Sequence, residues 1–71
     1  MKRDTKTIKK IGLAIKKARK KRGWTQQDLA EYLGCHFTLI QKWESGKREP
    51  GSVMLLKINK LFGLEIMQEI F

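Results

Sequence analysis

The 71 residues make one small domain, long enough for a helical bundle but too short to enclose a large active-site cavity. Sixteen Lys and Arg residues against seven Asp and Glu residues give a net charge of +9, which favours a polyanionic partner, either nucleic acid or an anionic membrane surface. No apolar run approaches the length of a membrane span, and no signal-peptide core follows the basic N-terminus, so a cytoplasmic chain is expected.

The first predicted helix starts at Thr5 or Thr7 and runs to about Arg22, after polar residues 1–6 that are expected to be frayed. Apolar side chains at positions 8, 11, 15 and 18 form a stripe of helical period, and the opposite face is basic. We interpret that face as an electrostatic patch for phosphate groups, with a plain solvated surface as the alternative. Its lysines are Lys9, Lys10, Lys16, Lys17, Lys20 and Lys21.

The second predicted helix covers residues 26–33. Thr25 can cap it through its hydroxyl, and Asp28 stands three residues later, close to where a capping box has Glu or Gln. Gly34 ends the helix, because glycine tolerates the left-handed conformation of a C-terminal cap. A third helix over residues 37–44 follows, with His36 at its capping position.

The spacing of the second and third helices is typical of a helix-turn-helix: a small Ala30 where the helices cross, Gly34 at the turn, and Ile40 in the core. Three blocks occur in order around it. They are Thr-Gln-Gln-Asp-Leu-Ala from position 25, Leu-Gly before the third helix, and Trp-Glu-Ser-Gly-Lys-Arg-Glu-Pro from position 43. In these blocks the sequence resembles the Cro/CI-type (XRE) repressors of phages and bacteria, over about Ile11 to Leu64.

The resemblance implies an all-α, lambda repressor-like bundle of about five short helices, forming one domain over residues 1–71. It also implies binding to a two-fold symmetric operator in double-stranded DNA as a homodimer, with the third helix in the major groove. Within the fold, it pairs Arg19 with Glu44 in a buried ion pair that holds the structure and does not read DNA.

The same resemblance implies phosphate contacts around the recognition helix. Gln26 matches the family glutamine that contacts a phosphate, while Gln27 either assists it or is plain surface. Lys47 and Arg48, in the loop after the third helix, are expected to contact the DNA backbone. Ser45, at the end of that helix, is a further candidate phosphate contact.

The outward face of the third helix would read bases, since the apolar residues at 40 and 43 turn inward. Gln41 has the donor and acceptor that adenine needs, and Lys42 can reach the acceptors of guanine. Thr38 would touch a thymine methyl or a phosphate. Phe37 either meets thymine methyls or packs against the domain.

Ser52 is expected to cap a fourth helix that runs to Phe62. Its apolar side chains face either the core or a partner: Val53, Leu55, Leu56, Ile58, Leu61 and Phe62. We interpret the apolar tail, residues 64–71, as a short fifth helix that folds back on the core and also provides a self-association surface. The candidate dimer-interface residues of the tail are Leu64, Ile66, Met67, Ile70 and Phe71.

Metal, disulfide and enzyme chemistry find no support in the sequence. A single cysteine, Cys35, excludes an internal disulfide and fits a reducing cytoplasm; we expect it to be a buried small hydrophobe. One His and one Cys cannot assemble a zinc site from the usual ligands. The sequence has no nucleophile with a histidine partner and no Gly-rich phosphate loop, so we predict a non-enzymatic chain without cofactor.

Three functions remain. The first is a sequence-specific repressor that competes with polymerase at a promoter. The second is an antitoxin, because residues 43–51 followed by Leu55-Leu56 also look similar to antitoxins of the HigA kind, which repress their own operon and bind a toxin. The third is a helix-turn-helix protein that bridges other proteins without binding DNA, and the concentrated basic charge argues against it.

Overall fold

The computed structural model describes residues 5–63, which form four helices and no strand. They are α1 (Thr5–Lys21), α2 (Gln26–Leu33), α3 (Phe37–Glu44) and α4 (Ser52–Phe62). This confirms the all-α bundle and the predicted bounds of the second and third helices. α1 begins two residues inside the segment predicted to be frayed. The expected fifth helix, and with it Leu64, Ile66, Met67, Ile70 and Phe71, lies outside the described residues.

Local hydrogen bonds set both ends of α2, as predicted. The Thr25 hydroxyl accepts from the Asp28 N–H at 3.1 Å, and the Asp28 carboxylate accepts from the Thr25 N–H at 2.9 Å. At the other end, Gly34 adopts a left-handed conformation with φ +74°, which a residue with a side chain rarely takes. The turn between α2 and α3 is therefore fixed by its own sequence.

The core lies between α1 and the helix-turn-helix and is closed on one side by α4. Each helix contributes one apolar face, and Ala30 is fully buried where α2 approaches its neighbours. The buried apolar residues are Ile11, Ala14, Ile15, Ala18, Leu29, Ala30, Leu33, Ile40, Trp43, Ile58 and Phe62. Trp24 is half-buried at the joint between α1 and α2, where it packs against this core.

α1 approaches the end of α3 closely at Gly12. A Cβ on Gly12 would overlap the carbonyl oxygen of Trp43 and would lie 3.2 Å from the Cα of Glu44. Glycine is therefore needed here because two main chains meet, although Gly12 lies inside a helix. The local sequence does not indicate this role of Gly12, because the role depends on a helix that is distant in sequence.

The start of α4 differs from the prediction. Gly51, with φ −66° and ψ 167°, is the capping residue, no side chain caps the helix, and Ser52 is already its first helical residue. The expectation that Ser52 caps α4 is therefore wrong by one position. On the outer face of α4, Val53 and Leu56 are each 64% exposed, so neither faces the core of the described domain.

Candidate nucleic-acid interface

The third helix, α3, is capped by a histidine. The Nδ1 atom of His36 accepts a hydrogen bond from the Thr38 N–H at 3.2 Å. His36 thus caps the helix, as a Ser or Thr side chain commonly does at this position.

The four predicted base-reading residues form one exposed face. Phe37, Thr38, Gln41 and Lys42 are all exposed, whereas the apolar residues at positions 40 and 43 are buried at 0% and 2% exposure. An α-helix places these two sets on opposite sides because it turns once every 3.6 residues. The structure therefore presents an exposed face of one turn and a half, which is about the length of helix that fits in a major groove.

Phe37 packs against His36 at the start of α3. Its ring lies 4.8 Å from the imidazole of His36, with 30° between the ring planes, and the residue remains 36% exposed. The ring therefore forms a small apolar surface at the start of α3, beside the Thr38 hydroxyl, which is 3.0 Å from His36 Nδ1.

Hydrogen bonds to one carbonyl oxygen hold the loop after α3 against the end of the helix. The carbonyl of Lys42 accepts hydrogen bonds from the Lys47 N–H at 3.0 Å, the Arg48 N–H at 3.3 Å and the Ser45 hydroxyl at 3.2 Å. Lys47 and Arg48 are both exposed. The geometry thus gathers three cationic residues, including Lys42 itself, at one end of the recognition helix.

The ion pair implied by the resemblance is present. Arg19 donates from Nε to one oxygen of Glu44 at 2.8 Å and from Nη2 to the other at 3.0 Å, and the two side chains are only 7% and 4% exposed. The third donor, Nη1, binds the Trp24 carbonyl at 2.6 Å. This network ties the end of α1 to the end of α3.

Gln26 joins the same network from the first turn of α2. Its amide nitrogen donates to Oε1 of Glu44 at 3.2 Å, which places the residue between the ion pair and the surface. Its neighbour Gln27 donates to Glu31 one turn along the helix at 3.4 Å. The structure therefore positions Gln26 against α3, while Gln27 lies on the exposed face of α2.

Cys35 lies half-buried in the turn and packs against the core. Burial raises the pKa of its thiol, and the positive charge of Lys57 opposes that rise. Lys57 also donates to the Leu33 carbonyl at 3.3 Å, so this lysine of α4 binds the end of α2. Among residues 5–63, no three His, Cys, Asp or Glu side chains are grouped so as to hold a metal ion.

In the described part of the chain, none of the helices combines the length and the apolar character that crossing a membrane demands.

Comparison with known proteins identifies the family. Residues 15–67 match the family model described as helix-turn-helix. The prophage-derived HTH-type transcriptional regulator YonR of Bacillus subtilis is 36% identical over 54 residues, which are 76% of this chain and 50% of that protein. Multiprotein-bridging factor 1c of Arabidopsis thaliana is 32% identical and multiprotein-bridging factor 1 of Schizosaccharomyces pombe is 28% identical, each over 60 residues.

Those 60 residues are 84% of this chain and 40% of each bridging factor, so the chain spans half or less of the length of these relatives. No solved structure matches the chain. The family match covers most of the sequence and includes α2, α3 and α4 entirely. The chain therefore belongs to the helix-turn-helix family of the XRE type.

Proposed function

We propose that this chain is a transcriptional repressor that binds a two-fold symmetric DNA operator as a homodimer, with α3 in the major groove. One observation carries the proposal: an exposed polar face of α3 that ends in a cluster of cations. Gln41 and Lys42 offer the hydrogen-bonding groups that read base edges. Lys47 and Arg48 lie in the loop at the end of α3, where they would contact the phosphates of the DNA backbone.

Phosphate contacts complete the proposed interface. Gln26 stands at the start of α2, where unpaired N–H groups and the helix dipole favour an anion, and its bond to Glu44 fixes its side chain. Gln27 and Ser45 flank the same surface and are further phosphate contacts in this proposal. Thr38 and Phe37 contact thymine methyl groups at the start of α3.

A homodimer is supported by the exposed apolar pair on α4, Val53 and Leu56. The helix turns them to the same side, three residues apart, and the apolar tail over residues 64–71 follows α4. We therefore expect the wild-type chain to sediment as a dimer, and Leu56→Lys to shift it towards the monomer. A monomeric wild type at the concentrations that bind DNA would contradict the homodimer.

A second candidate function is bridging between proteins. It is favoured by relatives named multiprotein-bridging factors, two of which match 84% of this chain. The antitoxin hypothesis adds a toxin partner to the repressor function. An antitoxin would suppress the toxicity of a neighbouring gene product, whereas a repressor alone would not.

Selection from a pool of random DNA duplexes, followed by sequencing and footprinting, tests the proposal. A repressor is expected to enrich an inverted repeat whose half-sites lie about one helical turn apart. A bridging protein that does not read DNA would enrich no sequence. Recovery of no preferred site would therefore contradict the repressor and favour the bridging function.

A further inference from the structure

We propose that Lys9 of α1 binds a phosphate of the DNA backbone, next to the phosphates contacted by Lys47 and Arg48. This inference rests on the proposed DNA-binding function and adds the N-terminal half of α1 to the interface. The amino-acid sequence indicates a basic face on the first helix, but it does not indicate which of the lysines on that face reaches DNA.

Lys9 lies directly on the loop that follows α3. A Cβ built on Gly46 would be 2.6 Å from Cγ of Lys9 and 3.5 Å from its Cα. Gly46 is the residue just before Lys47 and has a φ of +76°, so the chain turns sharply beneath the Lys9 side chain. The aliphatic part of Lys9 is therefore held against the backbone of the same loop that presents Lys47 and Arg48.

The position of Lys9 is also fixed by the packing of the next turn of α1. Three residues further along α1, Gly12 packs on the main chain of Trp43 at the end of α3, and Ile11 between them is 1% exposed in the core. α1 thus meets the recognition helix and its loop over two successive contacts. Lys9 itself remains exposed, so its ammonium group is carried at a defined place on the surface.

Cations outnumber acidic residues around this point. Lys42, Lys47 and Arg48 are gathered at the end of α3, where the half-buried Glu49 of the same loop offsets one of their charges, and α1 carries no acidic residue. The Glu44 carboxylate is already bound by Arg19 and by Gln26. Like charges in one small surface repel each other, and a polyanion such as a DNA strand relieves that repulsion.

A lysine of α4 provides a matched control. Lys60 is exposed in the last turn of α4, outside the basic face of α1 and outside the residues proposed to contact DNA. Lys9→Gln and Lys60→Gln remove the same charge from an exposed helical position. Glutamine also keeps much of the aliphatic stem that packs on Gly46, so the first variant tests the charge and not the packing. Lys9→Arg restores the charge.

The experiment measures the dissociation constant for the selected operator duplex at several salt concentrations, by fluorescence anisotropy. Losing one phosphate contact reduces the slope of log Kd against log salt by about 0.9. Between about 50 and 200 mM salt, wild type should therefore lose about 3- to 4-fold more affinity than Lys9→Gln. Lys60→Gln and Lys9→Arg should both keep the wild-type slope.

Parallel slopes for wild type and Lys9→Gln would overturn the inference. Equal flattening by Lys9→Gln and Lys60→Gln would also overturn it, because it would indicate a general effect of net charge. Failure of the proposed function is distinguishable from this. If selection recovers no operator, the repressor proposal fails, and the same slopes are measured on a mixed-sequence duplex. If wild type binds no DNA at all, both proposals are contradicted.

Discussion

Gly12 of α1 lies against the carbonyl group of Trp43 in α3, so closely that residue 12 has no room for a Cβ. The contact joins the longest helix to the end of the recognition helix. One turn earlier in α1, Lys9 covers Gly46. The Arg19–Glu44 ion pair also joins these two helices, since Arg19 lies in α1 and Glu44 in α3. The orientation of α3 therefore depends on α1 as well as on its partner α2.

Gly12→Ala is expected to destabilise the fold by about 1–3 kcal/mol, because the added methyl meets backbone that cannot move aside. In an open helix position the same change would instead stabilise by about 1 kcal/mol. Chemical denaturation followed by circular dichroism measures the difference, with the exposed Lys10→Ala on the same helix as the control. A Gly12→Ala protein as stable as wild type, or more stable, would show that α1 and α3 are further apart than described.

Arg19→Ala is expected to cost about 3–5 kcal/mol, since it leaves the buried Glu44 carboxylate with Gln26 as its remaining side-chain partner. The stability of Arg19→Lys should lie between that of wild type and that of Arg19→Ala, because an ammonium cannot reach both carboxylate oxygens and the Trp24 carbonyl at once. Replacing both partners, as in Arg19→Met with Glu44→Met, should recover part of the loss. An Arg19→Ala protein with wild-type stability would contradict a buried, bonded pair.

Gly51→Ser is expected to stabilise the fold by about 0.5–1 kcal/mol, because it supplies the side-chain cap that α4 lacks and reduces the freedom of the unfolded chain. Gly51 has an ordinary φ of −66° and nothing near its Cβ position. Gly23→Ser is the matched control: its Cβ position is equally open, but its φ of +73° makes a side chain unfavourable there. Equal effects of the two substitutions would contradict the capping argument.

Cys35 is expected to react with iodoacetamide more slowly in the native chain than in the same chain under denaturant at the same pH. Burial raises the thiol pKa in the folded state, so a smaller fraction is present as the reactive thiolate. Mass spectrometry of timed samples measures both rates. Lys57→Gln should slow the native reaction further, since it removes the charge that lowers this pKa. A native rate equal to the denatured rate would contradict the described position of the thiol.

Features governed by nearby residues could be predicted from the sequence. The capping box of Thr25 and Asp28, the left-handed Gly34 and the inward Ile40 each depend on residues within a few positions, and all are present as expected. The cap of α4 was misplaced because Ser52 is a favourable capping residue by type, whereas the chain enters the helix one residue earlier. Local preference alone does not fix such a boundary.

Features that depend on tertiary approach could not be predicted from the sequence. Gly12 looks like an unfavourable residue inside a helix until the main chain of Trp43 is placed beside it. Likewise, nothing in the spacing of the lysines distinguishes Lys9 from Lys16 or Lys20; its contact with Gly46 does. The ion pair of Arg19 and Glu44 was anticipated only through the family resemblance.

The most direct test of the central claim, that α3 reads bases, is the ratio of affinities for the selected operator and for a scrambled duplex at physiological salt. Wild type should prefer the operator strongly. Gln41→Ala and Lys42→Ala should each cost about 1–3 kcal/mol on the operator and relax the preference at one base pair. Lys47→Ala should weaken both duplexes alike, because it removes a phosphate contact. If wild type binds both duplexes equally, or if Gln41→Ala and Lys42→Ala leave the ratio unchanged, α3 does not read bases.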